Sequence, residues 1–204
     1  MMGILWLLGG YLMGSIPTSY LAARFGAGVD LREQGSRNLG ATNVYRVLGW
    51  KYAIPVGLFD VAKGAVPVLL ASRWSDQAWL PLAVGVAAVL GHVFTIFMRF
   101  KGGKGVATAA GVVLALAPAA LGVSALVWLA VLTATGYMSV ASMLGAVTFP
   151  VAVRVLEPGD NYALVIGIAL AVFIIYTHRS NIRRLLNGTE NRFGKRRRAA
   201  AKDA

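Results

Sequence analysis

The segment NYALVIGIALAVFIIYT, residues 161–177, contains no Asp, Glu, Lys or Arg. Six further apolar segments lie near 2–24, 51–72, 78–98, 104–118, 119–136 and 138–157. Apolar runs of about 20 residues match the hydrocarbon thickness of a bilayer, where a helix satisfies its own backbone groups. The pattern predicts an all-α fold, a polytopic integral membrane bundle of seven transmembrane helices.

The composition agrees with a membrane protein. The chain is 57% hydrophobic and 14% charged, with a mean hydropathy of +0.66, whereas soluble domains are roughly one quarter charged. There is no cysteine, which excludes disulfides, a thiol nucleophile and cysteine-based metal sites. The net charge of +12 fits topology signals and attraction to anionic lipids or phosphorylated substrates better than nucleic acid.

The stretch 104–136 decides the parity of the span count, because it could form one long tilted span or two short spans that turn near Ala117. Seven spans with the N-terminus outside place the basic residues of the first loop, the loop after the third span and the tail in the cytoplasm, as the positive-inside rule requires. The exceptions are Arg73, Arg154 and the intramembrane Lys63. We therefore predict seven spans, with the N-terminus out and the C-terminus in.

The spans leave room for one domain. We predict a single membrane-embedded catalytic domain over 1–192 and a basic, disordered cytoplasmic tail over 193–204. Residues 1–23 contain no Lys or Arg. They therefore lack the positive start of a cleavable signal peptide.

Three polar clusters lie on the predicted cytoplasmic face. The first is GSRNLGATNVYR, residues 35–46, which concentrates glycines, amides, hydroxyls and guanidinium groups. These residues are typical of an anion site, because glycine lets backbone N–H groups approach a ligand closely. The alternative is a polar connection whose glycines only permit turns.

The second cluster is FKGGKG, residues 100–105, followed directly by an apolar helix. Its glycines, the helix N-terminus and Lys104 together favour a phosphate. It is not a Walker A loop, because Met98 and Gly105 stand where that motif needs Gly and Ser or Thr. The alternative is a glycine-rich turn whose lysines only set topology.

The third cluster is HRSNIRRLLNGTENR, residues 178–192. If the last helix continues, His178 and Asn181 lie on one face with Arg184 or Leu185 and could reach one ligand. A basic stop-transfer patch is the alternative. It explains the run 195–198 but not a His and an Asn three residues apart at the membrane boundary.

Charged and polar residues also lie inside the predicted spans. Asp60 and Lys63 are three residues apart in the second span, and because charges there are costly and normally pair, we favour a structural ion pair over a proton or ion path. For the intramembrane His92 we expect a hydrogen-bonded structural role. The sequence has no His-Glu-x-x-His zinc motif and no Gly-x-Ser-x-Gly elbow.

In this order, the three clusters resemble the motifs of the bacterial acyl-phosphate:glycerol-3-phosphate acyltransferases, a family of small integral membrane enzymes. The family motifs are similar to residues 35–46, 100–105 and 178–190, and the resemblance runs from the first span to Arg192. Further similar stretches are 14–20, 60–64 and 91–94. Two positions differ from the family pattern. Arg37 replaces a glycine, which predicts a left-handed turn at a less permissive residue, and Thr95 stands where relatives often carry proline.

The resemblance implies transfer of a fatty acyl group from acyl phosphate to the 1-hydroxyl of sn-glycerol 3-phosphate, giving lysophosphatidic acid and phosphate in the first acylation step of phospholipid synthesis. It implies no cofactor, no metal and no nucleic acid partner; the partners are the two substrates and membrane lipids, and a monomer is compatible with this. The His-x4-Asp pattern of acyl-CoA-dependent acyltransferases is missing, since Phe97 follows His92 and Arg183 follows His178 at that spacing. The implied location is the bacterial cytoplasmic (inner) membrane, multi-pass, with the active site on the cytoplasmic side.

Both implied substrates carry phosphate, so the site must gather two anions beside an acyl chain. Arg46 suits a forked phosphate contact and Lys104 a point charge. Our hypothesis for the catalytic set is Ser36, Arg46, Lys104 and His178. The substrate-binding set is Gly35, Asn38, Gly40, Thr42, Asn43, Gly102, Gly103, Ser142 and Asn181, with the backbone N–H groups of 35–40 holding acyl phosphate. The structural set is Asp60, Lys63 and Glu190.

An acyl phosphate is already activated, so the reaction needs no covalent intermediate. The attacking hydroxyl loses its proton either to His178 or to a substrate phosphate oxygen. A transporter of a phosphorylated metabolite and a basic membrane scaffold are competing classes. The polar residues cluster at one face and no inverted repeat is evident, which disfavours a transporter.

Overall fold

The computed structural model describes residues 2–193, and over that range the chain forms helices and no strands, as predicted. The helices are α1 Met2–Ser15, α2 Thr18–Ala27, α3 Ala41–Leu48, α4 Trp50–Trp74, α5 Leu80–Val93, α6 Val106–Leu116, α7 Pro118–Thr135, α8 Met138–Leu156, α9 Asn161–Thr177 and α10 Arg179–Leu186, with a 3-10 turn at Ile96–Met98. The predicted disordered tail beyond residue 193 lies outside the described residues.

Four segments are long and apolar enough to cross a bilayer: Trp50–Trp74, Leu80–Met98, Pro118–Thr135 and Met138–Leu156. α9 and α10 make a fifth if they are taken as one span, which is bent by 56°. α6 is apolar but shorter. The described helices therefore fit an integral membrane bundle, and the count of seven spans stays a prediction.

The first predicted span, 2–24, is wrong as a single helix, because the chain breaks between α1 and α2 at Pro17. Proline has no N–H group and disfavours helical backbone at the preceding residue. The carbonyl of Ile16 at the break accepts hydrogen bonds from the Thr18 N–H at 3.0 Å and from Lys63 Nζ at 2.9 Å. An intramembrane ammonium group thus stabilises the broken helix end.

Small residues bring the helices into close contact. Gly14 of α1 lies against the backbone of Ala88 in α5, and Gly64 of α4 lies against the backbone of Thr108 in α6, so that a side chain at either glycine would overlap the facing backbone. Residues 104–136 contain two helices, α6 and α7, which are separated at Ala117. α6 packs mainly on α4 and α7 mainly on α8. This divergence leaves space for a cavity.

Candidate active site

A cavity of about 880 Å³ joins the polar clusters to the apolar interior between α6, α7, α8 and α9. Its polar wall includes Ser36, Asn38, Gly40, Thr42, Asn43, Arg46, Lys104, Ser142, His178, Asn181, Arg184 and Glu190. Its apolar wall includes Val113, Leu121, Leu129, Leu132, Phe149, Leu170 and Ile174. The structure therefore brings most of the predicted site residues together. The exceptions are Gly35, Lys63, Gly102 and Gly103, which do not line the cavity.

A hydrogen-bond network connects the second and third clusters in the polar wall. The ammonium group of Lys104 donates to Asn181 Oδ1. Asn181 Nδ2 donates to Glu190 Oε1 at 2.6 Å, and Ser139 Oγ donates to the same oxygen at 2.8 Å. Arg184 Nε pairs with Glu190 Oε2 at 2.7 Å. Glu190 therefore holds the amide that in turn positions Lys104.

The charges of this wall influence one another. Burial lowers the pKa of Lys104 to about 8; Glu190 opposes this shift. The neighbouring cations Arg184 and Arg46 lower the Lys104 pKa further. Burial also lowers the pKa of Arg46, which stays charged because a guanidinium is not deprotonated in proteins. Three cations thus face one carboxylate, and the wall has the surplus positive charge that an anion needs.

The carboxylate of Glu190 is held in its charged form. Burial alone would raise the pKa of Glu190, but hydrogen bonds from Asn181, Arg184 and Ser139 outweigh burial and keep that pKa below its ordinary value. The charge of Glu190 therefore orders the donors around it.

His178 is buried between α9 and α10 and lines the cavity. Its Nδ1 lies 2.8 Å from the carbonyl oxygen of Ile174. Because a carbonyl only accepts, Nδ1 carries the proton and Nε2 is left as an acceptor. The last helix bends by 56° between α9 and α10. The Asn181 N–H still donates to the His178 carbonyl at 2.8 Å, and both side chains line one cavity. Ser142 lies on the same wall, with its hydroxyl donating to Met138.

The side chain of Asn43 holds the loop of the first cluster. The Asn43 side chain accepts from the Ser36 N–H at 2.8 Å and donates to the Gln34 carbonyl at 3.1 Å. The residue is 1% exposed and positions the loop, and its role as a substrate ligand stays a prediction. Gly35 and Arg37 both have φ of 60°, which confirms the predicted left-handed turn at Arg37. The Arg37 N–H donates to Gln34, so the N–H groups of Ser36 and Arg37 are both occupied.

Gly102 and Gly103 of the second cluster pack against protein and not against the cavity. The Gly102 N–H donates to the Val93 carbonyl at 2.9 Å, and the Gly103 N–H donates to the His92 carbonyl at 3.1 Å. A Cβ at Gly103 would overlap the imidazole of His92. The prediction that these two N–H groups bind phosphate is therefore wrong. The pair instead sets the position of Lys104, which does face the cavity.

The intramembrane charges form a buried cluster. Lys63 Nζ lies 2.8 Å from Asp60 Oδ1, and Thr18 Oγ1 donates to the same oxygen at 2.5 Å. The ion pair that the sequence predicts is present. His92 Nδ1 lies 3.7 Å from Asp60 Oδ1 and has no hydrogen-bond partner among the described residues, so the expected hydrogen bond of this nitrogen is not formed there.

Several residues that contact the site lie outside the predicted site sets. Arg184 and Ser139 bind Glu190, and Thr177 Oγ1 donates to the Lys104 carbonyl at 3.1 Å. The spacing of the third cluster already places Arg184 or Leu185 on the face of His178 and Asn181, whereas no local pattern marks Ser139 or Thr177. Phe193, assigned to the tail from sequence, also lines the cavity.

Fold and site together define a class: a helical integral membrane protein with a cavity that joins a cationic wall to an apolar one. Over residues 2–193, no group of three or more His, Cys, Asp or Glu could hold a metal ion. Comparison with known proteins gives the family. The profile of the Glycerol-3-phosphate acyltransferase family matches residues 4–188, and the chain belongs to this family.

Curated relatives of similar length support the assignment. The glycerol-3-phosphate acyltransferase of Geobacter sulfurreducens is 50% identical over 186 residues, which cover 90% of this chain and 93% of the relative. That of Chlorobaculum parvum is 44% identical over 220 residues, covering 91% and 95%. The chain is therefore an acyltransferase, and the transporter and scaffold classes are set aside.

Two solved structures have the same fold. The chain is similar to crystal structures of PlsY (YgiH), an integral membrane glycerol 3-phosphate acyltransferase. The glycerol 3-phosphate form has a TM-score of 0.89 and 41% identity, covering 95% of this chain and 96% of that one. The lysophosphatidic acid form has a TM-score of 0.87 and 40% identity with the same coverage.

Proposed function

We propose that this acyltransferase moves a fatty acyl group from acyl phosphate to the 1-hydroxyl of sn-glycerol 3-phosphate and releases lysophosphatidic acid and inorganic phosphate. The observation that carries the proposal is the continuity of the cavity. One wall gathers three cations and hydrogen-bonding side chains, and the same space extends into an apolar region between helices. A phosphate-bearing acceptor and an acyl-bearing donor can therefore meet there.

Glycerol 3-phosphate occupies the cationic wall. Its phosphate accepts hydrogen bonds from the guanidinium of Arg46 and the ammonium of Lys104. Such charged hydrogen bonds to phosphate are short and strong. Asn181 and Ser142 hold the glycerol hydroxyls, and His178 lies beside them. The support is that all five side chains line one cavity.

Acyl phosphate binds beside the first cluster. The Ser36 hydroxyl and the residues Asn38, Gly40 and Thr42 line this part of the cavity. The N–H groups of Ser36 and Arg37 already donate to other protein groups. The backbone N–H groups that can donate to acyl phosphate are therefore those of residues 38–40. The N-terminus of α6, which also reaches the cavity, adds partial positive charge, and the acyl chain lies along the apolar wall.

The chemical step is a direct transfer. The 1-hydroxyl oxygen of glycerol 3-phosphate forms a bond to the acyl carbonyl carbon, and the bond from that carbon to the phosphate oxygen breaks. The hydroxyl proton passes to His178 Nε2 or to a phosphate oxygen, and phosphate leaves. Holding both substrates in line can supply up to about 7–11 kcal/mol of the barrier reduction in favourable cases. The cationic wall stabilises the departing phosphate.

The proposed location is the bacterial cytoplasmic (inner) membrane, with seven spans, the N-terminus out, the C-terminus in and the site on the cytoplasmic side. The support is the distribution of Lys and Arg along the chain. Because the chain has no cysteine, an Ala204→Cys variant offers one labelling site. Labelling by a membrane-impermeant thiol reagent added to the extracytoplasmic side of intact cells would contradict this topology.

The donor is tested with purified protein in detergent. Glycerol 3-phosphate is supplied with either acyl phosphate or acyl-CoA, and lysophosphatidic acid and phosphate are both measured. We expect equal amounts of the two products from acyl phosphate and no lysophosphatidic acid from acyl-CoA. Product formation from acyl-CoA alone would contradict the proposed donor.

A further inference from the structure

A short segment after α10 crosses one side of the cavity. We define residues 187–193 as the strap. It leaves α10 through a turn in which the Thr189 N–H donates to the Arg184 carbonyl at 2.8 Å. It ends where the Phe193 N–H donates to the Gly136 carbonyl at 2.6 Å, in the turn between α7 and α8. The family profile matches only to residue 188, so most of the strap lies beyond the match.

Phe193 fastens the end of the strap to a different part of the bundle. Its ring stacks on Tyr45 of α3, with centroids 4.7 Å apart and planes 30° apart. It also meets Trp50, the first residue of α4, edge to face at 5.7 Å, and Tyr45 and Trp50 lie 4.3 Å apart. The preceding Arg192 lies over the ring of Tyr137 at 5.2 Å. The end of the strap thus joins the α3–α4 wall to the α7–α8 turn.

The middle of the strap carries Glu190, which binds the Asn181 amide at 2.6 Å. Asn181 in turn accepts from Lys104. A strap released at Phe193 would take away the carboxylate that fixes this amide, and Lys104 would lose its ordered partner. Phe193 itself carries no group that could bind phosphate, so its effect on the acceptor passes through the strap.

We propose that Phe193 is a positioning residue for the acceptor: its stacking on Tyr45 holds the strap closed and thereby orders the Glu190–Asn181–Lys104 network. The inference rests on the proposed binding of glycerol 3-phosphate at that network. A binding-competent state that is only partly populated weakens apparent affinity by that fraction. A saturating concentration of glycerol 3-phosphate closes the strap again. Loss of the Phe193 contacts therefore raises KM for glycerol 3-phosphate and leaves kcat near its original value.

The test compares full-length variants of Phe193 with saturating acyl phosphate and varied glycerol 3-phosphate. Phe193→Ala removes the ring, Phe193→Leu keeps apolar volume for folding, and Phe193→Trp restores an aromatic surface. Phe25→Ala is the matched control, because Phe25 of α2 is 81% exposed and does not line the cavity. We expect KM for glycerol 3-phosphate to rise about tenfold in Phe193→Ala, as loss of aromatic contacts of this kind implies, and less in Phe193→Leu.

We expect kcat and the acyl phosphate KM to change by less than about twofold, and Phe193→Trp and Phe25→Ala to resemble the wild type. An unchanged KM for glycerol 3-phosphate in both Phe193→Ala and Phe193→Leu would overturn the proposed positioning role of Phe193. So would a defect confined to kcat, or one that Phe193→Trp fails to reverse. A wild-type protein without any turnover of acyl phosphate and glycerol 3-phosphate would contradict the proposed function instead.

Discussion

The ammonium group of Lys104 donates a hydrogen bond to the side-chain oxygen of Asn181, which lies 77 positions later in the chain. The other end of the Asn181 amide is held by Glu190. Two polar clusters that are far apart in sequence therefore meet in one network, and the cation of one is oriented by the amide of the other. The proposed acceptor site depends on this contact.

The protonation of Lys104 should control acceptor binding at alkaline pH. Its pKa is lowered to about 8, first by burial, so free enzyme loses this charge as the pH rises through about 8. Glycerol phosphate is already a dianion above about pH 7, since its second pKa is near 6. We expect kcat/KM for glycerol 3-phosphate to fall towards about tenfold per unit above pH 8.

Lys104→Arg is the matched variant for this profile, because a guanidinium keeps its charge. Its absolute activity should be lower, but the alkaline fall should disappear. The measurement is the pH dependence of kcat/KM for each protein, with spontaneous hydrolysis of acyl phosphate subtracted. The same alkaline fall in Lys104→Arg would assign the titration to another group.

Gly103→Ala should disturb the acceptor site without touching the substrate. The added Cβ would overlap the His92 imidazole, and such overpacking costs about 1–3 kcal/mol. The segment that carries Lys104 must shift, so we expect KM for glycerol 3-phosphate to rise about tenfold. Gly122→Ala on α7 is the control, since nothing lies within 4 Å of its new Cβ; equal kinetics in the two variants would argue against the packing explanation.

The variant His178→Gln distinguishes the two candidate acceptors of the hydroxyl proton, His178 and a substrate phosphate oxygen. The contact between Nδ1 and Ile174 leaves Nε2 as the free acceptor, which suits a general base. If the base is His178, kcat should fall by about 10²–10⁴ while both KM values change little. A near-normal kcat would assign the proton to a substrate phosphate oxygen and leave His178 as a binding residue.

Arg37→Gly should stabilise the protein. Arg37 has φ of 60°, a conformation that costs a residue with a Cβ about 1–2 kcal/mol and that glycine adopts freely. We expect the midpoint of thermal unfolding in detergent to rise. Arg24→Gly within α2 is the opposite control and should lower the unfolding midpoint, because glycine in a helix costs about 1 kcal/mol. A lower midpoint in Arg37→Gly would contradict the claim that the backbone is strained at Arg37.

The sequence predicted the helical class, the intramembrane ion pair and the left-handed Arg37, and most of the predicted site residues line the cavity. Hydropathy and charge report where a segment lies relative to the membrane, so they locate clusters well. They do not report which donor meets which acceptor. The glycine at position 103 fits a phosphate-binding loop and also fits close packing on His92. Sequence alone does not separate the two, because both require glycine.

Three further features of the structure depend on contacts that no local sequence pattern reports. The sequence predicts Asn43 as a ligand, and the structure adds a positioning role, because the loop before Asn43 binds both ends of its amide. The break at Pro17 has a local signal in the proline itself, but the Lys63 ammonium group that stabilises the break comes from another helix. Phe193 was assigned to the tail because nothing local marks its stacking on Tyr45.

The central claim is that Arg46 and Lys104 form the glycerol 3-phosphate site of an enzyme that takes its acyl group from acyl phosphate. Steady-state kinetics of Arg46→Ala and Lys104→Ala, with each substrate varied in turn and phosphate release measured, test it most directly. The account predicts that each variant raises KM for glycerol 3-phosphate at least about tenfold or abolishes turnover, as loss of a charged hydrogen bond implies. Unchanged kinetics in either variant would contradict it.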